Sequence, residues 1–254
     1  MAPSFLRSMT KYFSESRTDA PSNPDSPPGP ASIANLGGVK IPLDLPVLSD
    51  NILESILSGE YEYQEQRQLP GIVKPGERVL ELGVGIGFIA SMILKHENTQ
   101  AYLGFEANPD LLPCIREVFE LNGVDGEICN AVLIHDPDVT HLDFYKRRHF
   151  WGSSLSPEPW VYESKVAIPA RQFNTVIAAF RPPLIVCDIE GGELEVFRQA
   201  DLSGVKRIYL EIHQSVLGRQ GIRELFDILG SKNFHYDQFH STGAVVLFTE
   251  VSEA

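Results

Sequence analysis

Four short clusters in the 254-residue chain set acids beside glycines or a histidine, a pattern suited to a ligand site. The first is Val79-Leu80-Glu81-Leu82-Gly83-Val84-Gly85-Ile86-Gly87, an apolar strand followed by glycines at alternate positions. Glycine lets the chain turn tightly and lets a ligand approach the backbone. The spacing is GxGxG, not the GxGxxG of dinucleotide sites. Glu81 would repel a pyrophosphate at this turn, but it would favour the ammonium and sulfonium of S-adenosylmethionine. The second cluster begins at Glu106, which follows Glu81 by 25 residues at the end of the next strand. An acid there is placed to accept hydrogen bonds from both hydroxyls of a ribose. Gly83, Gly85, Glu81 and Glu106 therefore form the expected cofactor set, with Ala107 and Asn108 next along the chain. Asn130-Ala131 falls on the third strand, where an adenine edge would lie.

The third cluster is Cys187-Asp188-Ile189-Glu190-Gly191-Gly192-Glu193. Asp188 ends a buried strand, where the reacting atoms of such a site belong. Glu190 is near enough to Asp188 for one of their pKa values to rise. Gly191-Gly192 turns the chain into a helix, and Glu193 in its first turn is favoured by the dipole, a structural role. The fourth cluster is Tyr209-Leu210-Glu211-Ile212-His213, where alternation puts Glu211 and His213 on one face. Asp188 or His213 is the expected general base. Asp188, Glu190, Glu211 and His213 could gather around Mg²⁺. The Asp-Asn pair of catechol-type metal-dependent methyltransferases is missing, so no metal is expected. Tyr61-Glu62-Tyr63 and Glu65 could lid the site, and Tyr61, Glu62 and Glu190 are candidate substrate contacts. Phe144 to Trp151 mixes cations with aromatics and could hold an anionic or sugar-bearing substrate.

Strands alternating with helices must position these residues. Strands are predicted at Arg78–Leu82, Ala101–Phe105, Glu127–Ile134, Leu184–Asp188 and Arg207–Ile212. Helices are predicted at Gly87–His96, Pro109–Asn122 (capped by Asn108), Arg171–Phe180, Glu193–Ala200 and Ile222–Leu229. Two final strands, Phe234–Phe239 and Ala244–Phe248, are joined by a turn short enough to require an antiparallel pair. The fold is therefore α/β, doubly wound and mostly parallel, with ligands beyond the carboxyl ends of the strands. Before the domain, residues 36–48 read as extended. A helix capped by Ser49 or Asp50 then runs to about Leu57 and ends at Gly59. The expected organisation is a disordered tail over 1–35, a pre-domain segment over 36–77 that packs on or lids the site, and the main domain over 78–254. Within the domain, 135–165 is an irregular insertion with one candidate strand near Arg147–Trp151. There is no internal repeat.

Composition narrows the function. The net charge of −13 argues against a nucleic-acid backbone as the main partner, because phosphate contacts need clustered Lys and Arg. The three cysteines are far apart, without a CxxC pair, which suits a reduced, cytoplasmic protein. No run approaches the length of a membrane span. The first 18 residues, with Arg7, Lys11 and Arg17, weakly resemble a transit peptide, but the Pro-rich run after them fits a tail better. Nothing specifies an oligomer.

Taken together, these motifs resemble the FkbM-type branch of S-adenosylmethionine-dependent methyltransferases, over roughly residues 40–250. The resemblance rests on Gly59-Glu60-Tyr61-Glu62, the turn Glu81 to Gly87, and Gly104-Phe105-Glu106-Ala107-Asn108-Pro109. It continues through Asn130-Ala131 and Cys187 to Glu193, and ends at Leu210-Glu211-Ile212-His213. It implies a seven-stranded sheet with one antiparallel strand. It also implies O-methylation of a small-molecule or glycan-like hydroxyl, such as that of a natural product or sugar. Family members commonly have Asp-Val-Gly-Ala at the first turn; here Glu81 keeps the charge and Gly85 replaces Ala. Gly192 likewise stands where Ala is common. The rival readings are a nicotinamide-dependent oxidoreductase, which would want GxGxxG, and a non-catalytic binding module on the same fold.

Overall fold

The computed structural model describes residues 32–158 and 160–251. The expected tail over 1–35 and the transit-peptide likeness lie almost wholly outside the described residues. The described residues open with a small antiparallel hairpin, β1 (Ile33–Leu36) and β2 (Val39–Pro42), so ordered structure begins inside the stretch expected as tail and ahead of the extended segment expected over 36–48. Gly37 and Gly38 make its turn with φ of +54° and +83°. Helix α1 (Asp50–Ser58) follows with Ser49 as its N-cap, and Gly59 closes it in the left-handed conformation. Helix α2 (Tyr63–Ile72) completes the segment before the main sheet.

The main sheet has seven strands in the order β11-β12-β10-β9-β3-β4-β5. They are β3 (Glu77–Leu82), β4 (Thr99–Phe105), β5 (Glu127–Cys129), β9 (Leu184–Cys187), β10 (Arg207–Glu211), β11 (Phe234–Thr242) and β12 (Val245–Glu250). Strand β12 alone runs against its neighbours, as its short link to β11 requires. The order reverses between β3 and β9, so the crevice opens at the carboxyl ends of those two strands.

Both faces of the sheet are covered, which is why the central strands read as unbroken apolar runs. All four residues of β9 are buried. On one face α1, α2, α3 (Phe88–Lys95) and α4 (Leu111–Asn122) supply Ile52, Leu69, Phe88 and Ile115 to a core with Val79 and Val186. On the other, α5 (Phe173–Phe180), α6 (Glu193–Arg198) and α7 (Gln214–Ser231) pack Phe173, Phe197 and Leu225 against Leu80 and Ile185. Helix α7 starts eight residues earlier than expected and kinks at Gly218, whose φ of 63° and ψ of 177° are not helical.

The third predicted strand is in fact two. It breaks at Asn130-Ala131, and β6 (Val132–Ile134) leaves the main sheet to join a second sheet, β6-β8-β7. That sheet, with β7 (His141–Lys146) and β8 (Ser164–Gln172), gives order to the insertion. Arg147–Trp151 is not a strand. It is a loop leading into a 3-10 turn, Phe150–Gly152, because Arg147 gathers the chain around itself. Its guanidinium donates to the carbonyls of Gly152 (2.9 Å) and Ser156 (2.8 Å) and to Ser154 Oγ (3.1 Å). Helix α4 begins at Leu111 rather than Pro109. Asn108 Oδ1 accepts from the Asp110 amide and makes a turn before the helix instead of capping it. Among the described residues, no helix is long and apolar enough to cross a membrane.

Candidate active site

A cavity of about 570 Å³ lies at the carboxyl ends of the strands, a size typical of small-molecule and cofactor pockets. Its floor is the turn after β3. Gly83, Gly85 and Gly87 have φ of +83°, +58° and +86°, conformations that side-chain-bearing residues rarely adopt. Gly83 also needs its bare α-carbon for space, since a Cβ there would lie 1.7 Å from the Asp188 carbonyl oxygen. Two backbone hydrogen bonds pin the turn, Gly83 N–H to Phe105 O (2.9 Å) and Asp188 N–H to Leu82 O (2.8 Å). A Cβ at Gly85 would project toward Phe150 and the Tyr61 hydroxyl, so this glycine keeps the floor low.

Glu106 is buried and turned onto the same loop. Its Oε2 accepts from the amides of Val84 (3.0 Å) and Gly85 (2.9 Å), and its Oε1 from Asn108 N–H (2.7 Å). Burial lifts its pKa to about 7, with the amide hydrogen bonds pulling the other way. A carboxylate has about four acceptor positions, so room remains for a ribose hydroxyl. Ala107 and Ala131 line the cavity, but Asn108 and Asn130 do not. The Asn130 amide donates to the carbonyls of Glu106 (2.8 Å) and Ala107 (3.1 Å), and so braces the segment that carries the acid. Glu81 is 2 % exposed, and the Tyr102 hydroxyl donates to it at 2.6 Å. Burial raises its pKa to about 8 despite that bond.

The far wall carries the second group of acids. Asp188, Glu190 and Glu211 line the cavity, and His213 stands behind them. His213 Nδ1 donates to Glu193 Oε1 at 3.0 Å. Its Nε2 lies 3.3 Å from Glu190 Oε2, 3.5 Å from Asp188 Oδ1 and 4.0 Å from Glu211 Oε1. Burial alone would lower the histidine's pKa, but the Glu193 bond and the surrounding carboxylates outweigh it and lift the group to about 10. Asp188 rises to about 6 through burial, with the histidine's charge opposing the rise. Asp188 Oδ1 and Glu193 Oε2 are buried and have no hydrogen-bond partner. Glu190 sits at φ +53°, a strained conformation for a residue with a side chain, just before Gly191.

Tyr61, Glu62 and Glu65 close the cavity from the pre-domain side, where Tyr209 also contributes. Burial pushes the pKa of Glu62 well up and that of Glu65 to about 7. Tyr63 points away, half exposed, under the Arg67 guanidinium. Phe150, Trp151 and Ser153 to Ser156 form the roof. His149 Nδ1 meets Ser49 Oγ at 2.9 Å and ties the roof to the N-cap of α1. Of the cations expected here to hold an anionic substrate, Lys146 pairs with Asp110 at 2.6 Å, Arg147 organises the loop, and Arg148 is exposed outside the cavity lining. Among the described residues, no Lys or Arg lines the cavity, whereas Glu62, Glu65, Glu81, Glu106, Asp188, Glu190 and Glu211 do. Such walls suit the adenosine-bearing cation expected from the sequence, which brings positive charge to carboxylates that burial has left short of partners.

Sequence reasoning missed three contributors. The structural role expected of Glu193 goes beyond the helix dipole: it is fully buried and fixes His213. Tyr209, with an unpartnered buried hydroxyl, and Val245 of β12 also line the cavity. The inward phase of β10 was the only available signal for Tyr209.

The methyltransferase FkbM domain model matches residues 81–240, more than half of the chain. No curated protein matches. Among solved structures, the chain is similar to the ribosomal protein L11 methylase of Lactobacillus delbrueckii subsp. bulgaricus, with 16% identity over 74% of this chain and 79% of that one and a TM-score of 0.44. It is also similar to a TehB-like SAM-dependent methyltransferase of Corynebacterium glutamicum, with 14% identity, coverage of 78% and 93%, and a TM-score of 0.42. TYW2 of M. jannaschii in complex with AdoMet gives 12% identity, 87% coverage of each chain and a TM-score of 0.42.

Proposed function

The chain belongs to the FkbM methyltransferase family, whose cofactor is S-adenosylmethionine, and from that premise we propose that it methylates a hydroxyl oxygen on an uncharged small-molecule or glycan-like acceptor. The observation that carries the acceptor chemistry is Asp188: a carboxylate at the end of a central strand that lines the cavity, with Oδ1 turned to His213 Nε2 at 3.5 Å. S-adenosylmethionine, when bound, supplies an electrophilic methyl group on a sulfonium and leaves as a neutral thioether.

The protein's own groups do the rest. Glu81 and the floor at Gly83 and Gly85 offer negative charge and open backbone to the cationic end of the cofactor. Glu106 and Ala107 continue along the ribose, and Ala131 lies at the adenine end. Asp188 accepts the proton of the acceptor hydroxyl as its oxygen bonds to the methyl carbon. His213 is less suited to that task, because Nδ1 is committed to Glu193 and Nε2 faces three carboxylates. Concerted proton removal of this kind is worth about 10²–10⁴-fold. Tyr61, Glu62 and Glu190 border the acceptor, and the pre-domain segment with the roof shields it from water. Walls that carry no Lys or Arg among the described residues disfavour phosphorylated or nucleic-acid acceptors. The three free cysteines are consistent with a reduced, cytoplasmic setting.

Calorimetric titration of the purified chain tests this first. Saturable binding of S-adenosylmethionine and none of NAD is expected, followed by methyl transfer to neutral alcohols and sugars but not to their phosphate esters. Binding of NAD alone, or of neither ligand, would refute the cofactor assignment. Methyl groups recovered only on nitrogen would refute the acceptor.

A further inference from the structure

We propose that Asp188, Glu211 and His213, with Glu190 beside them, form a binding site for one divalent cation of the Mn²⁺ or Mg²⁺ kind. One ligand atom from each of Asp188, Glu211 and His213 can be chosen so that all lie within 4.8 Å of one another. Ligands held about 2.1 Å from a common ion lie about 3.0 Å apart when adjacent and about 4.2 Å apart when opposite. The distances from His213 Nε2 to its three carboxylates, 3.3, 3.5 and 4.0 Å, fall in that window.

Two further observations point to an ion and not simply to crowded acids. His213 is oriented as metal-ligating histidines are. One ring nitrogen donates to a carboxylate while the other faces the ligand oxygens. That orienting acid, Glu193, is fully buried, and its second oxygen has no partner. Asp188 Oδ1 is likewise shut off from solvent and has no hydrogen-bond partner, the nearest cationic group being His213 Nε2 at 3.5 Å. Among the described residues, His213 is the only basic side chain within 4.0 Å of Asp188, Glu190 or Glu211. A set of three carboxylates and one imidazole, without thiolate, suits a hard or borderline divalent ion. All three carboxylates line the cavity, so the ion would meet the acceptor. There it would polarise the hydroxyl oxygen and lower the pKa of its proton, which passes to the free oxygen of Asp188. Only this last role rests on the methyltransferase reading; ion binding does not.

The test uses the full chain, stripped with chelator and titrated with Mn²⁺ by calorimetry and electron paramagnetic resonance, with a parallel S-adenosylmethionine titration. One saturable Mn²⁺ site is expected, with Mg²⁺ competing for it. H213Q and E211Q should each weaken Mn²⁺ at least tenfold. E193Q, which removes only the orienting acid, should weaken it about 10–100-fold. S-adenosylmethionine binding by E211Q would show that this variant is folded. Absence of Mn²⁺ binding up to millimolar concentration, while the cofactor still binds, would overturn the proposal. So would Mn²⁺ binding that survives both H213Q and E211Q. If the cofactor fails to bind but Mn²⁺ binds, the functional reading falls and the ion site stands.

Discussion

The two ends of the cavity handle buried acids in opposite ways. At the glycine turn, Glu106 is satisfied by three backbone amides, all within a few residues of it or of Gly83. At the far wall, Asp188, Glu190, Glu193 and Glu211 share one histidine, and two of their oxygens have no partner. At Glu106 the first end is preorganised by main chain, while Glu81 beside it takes a hydrogen bond from the Tyr102 hydroxyl. The second holds charge that only a proton, a cation or the reaction can balance. A site built this way separates holding from reacting, because the carboxylate oxygens left without a hydrogen-bond partner, on Asp188 and Glu193, lie on the side where chemistry is proposed.

The most severe way to break that division is Gly83→Ala, since Gly83 is where the two ends touch. A side chain there meets both the Asp188 carbonyl and an unfavourable φ. Destabilisation of about 3 kcal/mol or more in urea unfolding is expected, with loss of cofactor binding. Retention of near-native stability would show that the two ends are not rigidly joined.

Next in size is a matched pair. Asp188→Asn should lower kcat by about 10²–10⁴-fold while changing the dissociation constant of S-adenosylmethionine only a few-fold. Glu106→Gln should do the reverse, weakening the cofactor about tenfold or more because the turn loses an acceptor for its amides. Equal effects of both variants on both quantities would erase the contrast between the ends.

The smallest effect is a pH dependence. Glu81 and Glu106 have folded pKa values of about 8 and 7, above the ordinary value of 4.5. Between those limits the folded chain binds more protons than the unfolded one, so stability falls as pH rises. The free protein should melt at progressively lower temperature from pH 5 to pH 8. Saturating S-adenosylmethionine should flatten the slope, because its positive charge favours the ionised carboxylates. A melting temperature that rises over this interval would contradict the burial of these two acids.

The same contrast decides how much could be read without coordinates. The glycine turn and the acid of the second strand are contiguous in the chain, and their backbone demands are written in residue type, so both were legible. The sheet class followed from apolar runs and the short link into β12. What could not be read depends on convergence across elements. The bond from Glu193 to His213 joins the start of α6 to the end of β10, and no local rule gives their relative rotation. Arg147 lies in a run with the composition of a basic strand, but carbonyls that come near it only after the loop folds take up its donors. Asn130 is expected at the adenine edge because it falls on the third strand. Here its amide satisfies two carbonyls where the chain leaves one sheet for another.

The hydrogen bond from the Asp188 amide to the Leu82 carbonyl also has a consequence for biogenesis. The glycine turn is translated early, yet the strand that fixes its position follows roughly a hundred residues later, and such long-range closure slows folding. A nascent chain that stops short of Asp188 would carry every glycine of the motif without a finished floor. Cofactor capture on the ribosome should therefore begin only after β9 has emerged, so that ligand binding reports completion of the sheet and not synthesis of the motif.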